Sequence, residues 1–216
     1  DVTDPLDIQL LGALEPGINL ISVATYQNAL YVGTAFNHVY VYDITDPSSP
    51  VAGPILDFSD ICRDFTFHAG HVYMSIGSAL EIYSITDPLD PQYVDTFSVL
   101  EPMRESMAIG DVLYFVSKTR MQIADVSTPE SPVRTGAVEI DPTADLSRIS
   151  IEGLFGYVQG ATTVPHTCTV WPVDNPVYFG QIYDHDPYGC ARDLLVLDGY
   201  LYEGSNDAGL RIHDLY

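Results

Sequence analysis

Basic residues are scarce in this chain. Eight lysines and arginines face 30 acids among 216 residues, a formal net charge of −22, and Lys118 is the single lysine. A field of that sign repels nucleic acid and anionic lipid, so no nucleic-acid partner is expected. Two accounts of the charge stand: solubility in saline water, and capture of cations at the surface; charge alone favours the first. No apolar run approaches the ~20 residues that a membrane-spanning helix needs, so no membrane insertion is expected. No window repeats apolar residues at three and four, which predicts almost no helix. Cysteine is sparse and odd in number, with Cys62, Cys168 and Cys190 forming neither C-x-x-C nor a haem attachment motif.

Signatures of catalysis are missing as well. The chain has no G-x-S-x-G elbow, no Walker loop, no G-x-G-x-x-G after a strand and no EF-hand loop. Asn206-Asp207-Ala208-Gly209 reads as a hairpin turn, because the further acidic ligands of a calcium loop are absent from the required offsets. Paired carboxylates for glycosidase chemistry stay open, since 30 acids offer many pairs once folded and none is marked out. The balance leans away from an enzyme, and no cofactor is expected.

What the chain does have is hydrophobic content of 46% with 11% aromatics, enough for a folded core and too much for a disordered chain. Its length suits one domain. It starts at Asp1 without methionine or signal peptide, which reads as a mature protein or a segment of something larger. The stretch Tyr188 to Tyr216 shows the organising unit: an apolar run Leu194 to Leu197, a turn at Asp198-Gly199, a strand around Tyr202, a polar hairpin at Gly204 to Gly209, and a strand from Leu210 to Leu215. Short apolar runs joined by tight polar turns are β-hairpins.

The unit repeats. Tyr31, Tyr73, Tyr114, Tyr157 and Tyr202 mark the second strand of each copy, at spacings of 42, 41, 43 and 45. Proline turns ending at Pro47, Pro88, Pro129 and Pro176 follow each third strand, at spacings of 41, 41 and 47. The fifth copy stops at Asp214-Leu215-Tyr216, where such a turn should follow, and Asp1-Val2-Thr3-Asp4-Pro5 carries the missing half. Four short strands leave open edges and half-buried faces that neighbouring copies must cover. No capping repeat is visible, and radial closure needs none, so the expected fold is all-β: a five-bladed β-propeller with four-stranded blades. Ile8 to Leu14 would be the outer strand of the last blade and latch the ring. The expected single domain, 1–216, divides into blade one at about 19–59, blade two 60–100, blade three 101–145, blade four 146–188, and blade five 189–216 plus 1–18.

The segments ARDLLVLDGYLYEGSNDAGLRIHDLY, ALYVGTAFNHVYVYDITDPSSPV and HVYMSIGSALEIYSITDPLDPQYV resemble the LVIVD-repeat family of bacterial and archaeal propellers across nearly the whole chain. The fourth copy departs from it, with WPVDNP in place of the usual turn. The resemblance implies a propeller and an extracellular or cell-surface setting. It implies little about activity, because a scaffold defines the family.

Four arginines, Arg63, Arg104, Arg148 and Arg192, sit nine or ten residues before the repeat tyrosine, with Ile21 breaking the pattern in blade one. At the head of the innermost strands they would crowd the channel mouth, where they could hold a carboxylate or phosphate. The competing account, which the position favours, uses the acids Asp64, Glu105 and Asp193 that follow three of them as partners in interblade ion pairs. His166 and His185, with Asp184 and Asp186 beside the latter, could take a divalent cation such as calcium, although solvated turn residues explain them more simply. His68-x-x-His71 lies in a strand-to-strand turn, without the helix that makes such a pair a zinc site, and His38 and His213 look like strand ends. Cys168 and Cys190 fall on one side of adjacent blades, so a disulfide between them is open alongside buried free thiols.

The 160–167 hairpin loop and the connection Tyr183 to Gly189 are the irregular parts of the array, and both lie on the side shared by second hairpins and interblade connections. These features predict a non-catalytic binding or scaffolding module, monomeric, with a protein or carbohydrate partner on the loop face of blades four and five. A metal-dependent, lactonase-like hydrolase at the channel mouth is the alternative.

Overall fold

Period-two alternation and turn residues place the strands, and the structure follows them closely. It is a computed structural model and describes residues 10–13, 19–139, 146–152, 155–160, 167–172, 180–183, 191–205 and 209–214. Among these residues every regular element is a strand and no helix occurs. The chain divides into two compact units, Asp1–Thr96 and Phe97–Tyr216. In the first unit, sheet I consists of β1 (Leu20–Tyr26), β2 (Ala29–Thr34), β3 (His38–Asp43) and β4 (Val51–Asp57). Sheet II follows with β5 (Cys62–His68), β6 (His71–Ile76), β7 (Ala79–Ser84) and β8 (Gln92–Ser98).

The second unit begins within the end of β8. Its sheet III holds β9 (Met103–Ile109), β10 (Val112–Ser117), β11 (Arg120–Asp125) and β12 (Val133–Glu139). Sheet IV holds β13 (Leu146–Glu152), β14 (Phe155–Gly160), β15 (Thr167–Pro172) and β16 (Gly180–Tyr183). Sheet V holds β17 (Ala191–Leu197), β18 (Tyr200–Ser205) and β19 (Gly209–Asp214). Spatial order equals chain order throughout, and the paired strands run antiparallel. One sheet per sequence repeat is the result.

The turns are built by the residues that announced them. Asp198 and Gly199 both have positive φ, 52° and 79°, the pair of values that a type I′ hairpin turn demands and that suits the right-handed strand twist. In the proline turns the aspartates fold back on their own backbone. Asp43 accepts from the Thr45 N–H at 2.8 Å and from the Thr45 hydroxyl, and Asp46 accepts from the Ser48 N–H at 3.0 Å and the Ser48 hydroxyl. Those hydrogen bonds, to Thr45 and to Ser48, hold both carboxyls below the usual aspartate range. Asp87 and Asp125 repeat the motif with Leu89 and Ser127.

Within each unit, an apolar face of one sheet is covered by the sheet that follows it in the chain. In the first unit Tyr31, Val39 and Val41 of sheet I pack against Phe65, Val72 and Met74 of sheet II. Tyr31 and Met74 are fully buried, and a side chain of that size contributes roughly 1.5–3 kcal/mol. In the second unit Tyr114, Val116, Met121 and Ile123 of sheet III meet Ile149 of sheet IV in the same way. A directional bond reinforces the packing: the Tyr31 hydroxyl donates to the buried Pro88 carbonyl at 2.6 Å. The repeat tyrosine and the repeat proline turn are therefore donor and acceptor of one bond between consecutive sheets.

The expected outer strand Ile8 to Leu14 is corrected over its described part. Leu10–Ala13 form no strand; Gly12 instead lies against the backbone of Pro47 and Ser48. The physical reason is local: Leu10-Leu11-Gly12-Ala13 has no period-two alternation, and a glycine inside a strand weakens it. Sheet V accordingly has three strands among the described residues.

Candidate functional site

All five sheets share one irregularity. Near the head of the first strand the pairing register slips: between Leu20 and Ser22, Cys62 and Phe65, Met103 and Glu105, Leu146 and Arg148, and Ala191 and Asp193. Each slip is a β-bulge, an extra residue left out of the ladder that bends the strand and re-aims a side chain. Ile21, Arg63, Arg104, Ser147 and Arg192 occupy it. The arginines of sheets II, III and V thus share one structural position, and Arg148 does not. Arg148 pairs opposite Gln159, as Glu105 pairs opposite Val116, so it stands where the other sheets carry Ser22, Asp64, Glu105 and Asp193. The mixed spacing of nine and ten residues was the sequence trace of this difference.

The position just after the bulge reaches toward the next sheet. In sheet I the Ser22 hydroxyl donates to the Cys62 carbonyl at 2.8 Å, and a Cβ at Gly33 would lie 2.3 Å from that hydroxyl oxygen. Glycine is required there by close approach. In sheet III the Glu105 carboxylate accepts from the Ile149 N–H of sheet IV at 2.6 Å and stands 3.8 Å from the Arg148 guanidinium. The pair is part-exposed and long, so its net worth is under about 1 kcal/mol. The charge-assisted bond to Ile149 carries more, roughly 1.5–3 kcal/mol. Between sheets III and IV, then, an arginine and an acid bridge the gap as the ion-pair account expects, and the backbone N–H is the stronger anchor.

Sequence reasoning missed a second cluster on the same edge of sheet III. Glu101 accepts from the Ser117 hydroxyl at 2.9 Å, the Thr119 N–H at 3.2 Å, the Thr119 hydroxyl at 2.8 Å and Arg120 Nε at 3.1 Å. Arg120 also reaches Glu139 at 3.0 Å. Burial pushes the Glu101 carboxyl up, but the bonds from Thr119 and Ser117 and the Arg120 charge outweigh it and hold it below the usual range. The β10–β11 hairpin is thereby clamped to the connection that precedes β9. Asp60 holds the equivalent place in sheet II, its carboxylate lying over Gly77 in the β6–β7 hairpin. An acid thirteen residues before the repeat tyrosine, at Asp60 before Tyr73 and at Glu101 before Tyr114, was the available signal.

The remaining candidates are quickly placed. His68 and His71 face each other across the β5–β6 turn, with His71 Nδ1 3.0 Å from the Ala69 carbonyl oxygen, as a strand-to-strand turn requires. His38 lies 2.6 Å from Asp57 and His213 3.3 Å from Glu203, both at strand ends. Cys62 is a buried free thiol whose pKa burial drives upward. His166, Asp184, His185, Asp186 and Cys190 lie outside the described residues, as do the side chains of Arg192 and of Cys168 in β15. Among the described residues no group of three or more His, Cys, Asp or Glu is placed to hold a metal ion, and no helix is long and apolar enough to cross a membrane.

Comparison with known proteins agrees on the scaffold. No family model matches the chain, and no curated protein matches it. Among solved structures, it is similar to a chain of the mitotic checkpoint complex, with TM-score 0.77, 11% identity and 99% of this chain covered. It is similar to the WD40 repeats of RRP9, with TM-score 0.70, 13% identity and 97% covered. A candidate 6-phosphogluconolactonase from Bacteroides uniformis matches with TM-score 0.72, 11% identity and 89% covered. The chain spans 66%, 64% and 71% of those three chains, respectively. At such identities the likeness concerns fold alone. The class it defines is plain: an all-β, propeller-like chain of antiparallel meanders in series, related in architecture to WD40 proteins.

Proposed function

We propose that the chain is a non-catalytic binding or scaffolding module whose contact surface is the edge carrying the second hairpins and the sheet-to-sheet connections. The observation that supports this most is the clamping of that edge by Glu101, Ser117, Thr119 and Arg120, which presents the β10–β11 hairpin as a fixed shape. Preorganised loops lose less entropy on docking than free ones. Propellers similar to this one occur in protein complexes, the mitotic checkpoint complex among them, which favours a protein partner over a carbohydrate. The resemblance to LVIVD repeats and the net charge of −22 favour an extracellular or cell-surface setting. The arginine-bearing bulges and the 160–167 loop with His166 and His185 are the further parts of the proposed surface.

Cross-linking mass spectrometry with cell-surface proteins, using the intact chain and a variant lacking residues 161–166, tests the reading. Cross-links concentrated on the hairpin edge and reduced by the deletion are expected. Cross-links confined to the proline-turn edge would sink the proposed surface.

A narrower form makes the five sheets a self-closed five-bladed ring, with residues 8–14 completing sheet V. The likeness to the WD40 repeats of RRP9 favours it. It requires Leu10–Ala13 to adopt strand pairing, and a chain lacking residues 1–15 should then be clearly less stable than the whole. The enzymatic alternative is favoured by the lactonase-like neighbour. It predicts lactone hydrolysis lost on chelation, and assaying 6-phosphogluconolactone with and without EDTA decides it.

A further inference from the structure

The molecule shows once what a positive charge does on its aromatic surface. In the second unit the Arg134 guanidinium lies over the Phe97 ring, 5.4 Å from its centroid, while its Nη2 donates to the Ser98 carbonyl at 2.6 Å. The electron-rich face of the ring attracts the cation. The first unit holds a three-ring cluster and almost no cation to place on it: Arg63 is its single arginine, and it has no lysine.

That cluster is Phe58, Tyr83 and Tyr93. Phe58 directly follows β4 of sheet I, Tyr83 stands in β7 and Tyr93 in β8 of sheet II, so the rings meet inside the first unit. Consecutive rings lie 6.0 and 5.7 Å apart between centroids and cross at 75° and 77°. Rings turned through such angles present faces in different directions, as the walls of a corner do. Phe58 and Tyr83 are half-buried, and Tyr93, on the outer strand, is 57% exposed. Among the described residues no arginine or lysine lies over any of the three.

A carboxylate is fixed beside the rings. The Thr96 hydroxyl donates to Glu81 Oε2 at 3.2 Å. That hydroxyl has one hydrogen, so in its 3.0 Å contact with Tyr93 the phenol is the donor. Tyr93 is thereby tied through Thr96 to Glu81. Burial first, and then the Glu81 charge, pushes the Tyr83 hydroxyl up to about 12, which places the same carboxylate close to the middle ring. Among the described residues no arginine or lysine pairs with Glu81.

We propose that Phe58, Tyr83, Tyr93 and Glu81 form a seat for a quaternary ammonium group. The group's methyls pack on ring faces, and its spread positive charge suits both the rings and the carboxylate. It is also weakly hydrated, so it loses less water on docking than a metal ion or a primary ammonium does. A sugar stacks on one open ring face and gains nothing from the charge. A free choline-like solute and a choline lipid headgroup both carry the group; the net charge of −22 favours the solute, since the headgroup brings a phosphate with it. The inference is separate from the hairpin-edge reading, which none of these side chains enters.

Proton NMR of choline titrated with the intact chain, in roughly 20 mM salt, tests it. Seating against ring faces moves the N-methyl signal upfield, whereas diffuse attraction to an acidic surface does not. A saturable upfield shift in the millimolar range is expected. Tyr93→Leu should weaken binding at least about fivefold, Tyr93→Phe should keep it within about twofold, and Glu81→Gln should weaken it about threefold. Tyr93 is exposed, so circular dichroism of its variants should match the parent. Dimethylbutanol, the neutral carbon analogue of choline, should bind at least about fivefold more weakly. Phosphocholine should bind more weakly than choline; tighter binding would keep the seat and assign it to a headgroup. No saturable shift by about 50 mM choline overturns the proposal. So does a shift that survives Tyr93→Leu unchanged, or one that the neutral alcohol matches.

Discussion

Removing one oxygen from the molecule tests how consecutive sheets are joined. The Tyr31 side chain is fully buried, and its hydroxyl donates at 2.6 Å to the carbonyl of Pro88, a residue itself buried. Tyr31→Phe keeps the ring and its contacts with Phe65 and Phe67, at centroid distances of 5.9 and 5.5 Å, and deletes only the bond. The bond itself is worth about 1 kcal/mol net, and a stranded buried carbonyl adds about 1 more, for a loss of roughly 2 kcal/mol. With a urea m-value of about 2 kcal/mol/M the unfolding midpoint should fall by about 1 M at unchanged slope.

The alkaline limb supplies an independent check. Burial, and secondarily the Asp87 charge, raises the Tyr31 pKa, and burial pushes Tyr83 up to about 12. A raised folded-state pKa means that the stabilisation is complete below the ordinary tyrosine value of about 10 and drains away as pH climbs above it. Tyr31→Phe should flatten that decline. A midpoint shift under about 0.2 M, with the alkaline limb unaltered, would refute the claim that this hydroxyl joins sheets I and II.

Three further outcomes follow from the geometry. Glu105→Val should cost about 2 kcal/mol by stranding the Ile149 N–H, whereas Arg148→Met should cost under about 1 kcal/mol; denaturant midpoints that reverse this order would show the ion pair to be the stronger tie. Glu101→Ala should lower stability by about 1–2 kcal/mol at neutral pH. Because the Glu101 carboxyl is held low, its stabilisation is present above the ordinary glutamate pKa and lost as pH falls through the folded value, so parent and variant curves should converge as the pH drops below the ordinary glutamate range. Ala69→Gly should raise the melting temperature, gaining up to about 1 kcal/mol, since Ala69 sits at φ 44°, a left-handed conformation that costs a Cβ-bearing residue.

Much of the fold was legible because its signals are local. Alternation in HVYVYD, the Asp198-Gly199 dipeptide and the aspartates of the proline turns each act within a few residues, and the strands and turns follow them. Tyr31 and Pro88 were both visible as repeat markers, yet their partnership spans 57 residues and needed coordinates. The arginines differ in position from sheet to sheet in a way that the spacing only hinted at. Alternation assigns neighbouring residues to opposite faces, but a bulge breaks that rule where Arg104 and Glu105 lie, and so hid the fact that Arg148 belongs with the acids. Glu101 escaped notice because its partners, Ser117 to Arg120, sit across a gap that no short motif describes.

The bulged residue has an implication for how such chains diversify. Since it stands outside the ladder, its identity is exempt from the pairing constraints that govern its neighbours, and isoleucine, arginine and serine already share it at positions 21, 63 and 147. Five such sites, one per sheet, amount to a set of blank keys cut into a constant lock: the scaffold can stay fixed while selection, or an engineer, rewrites what is displayed there.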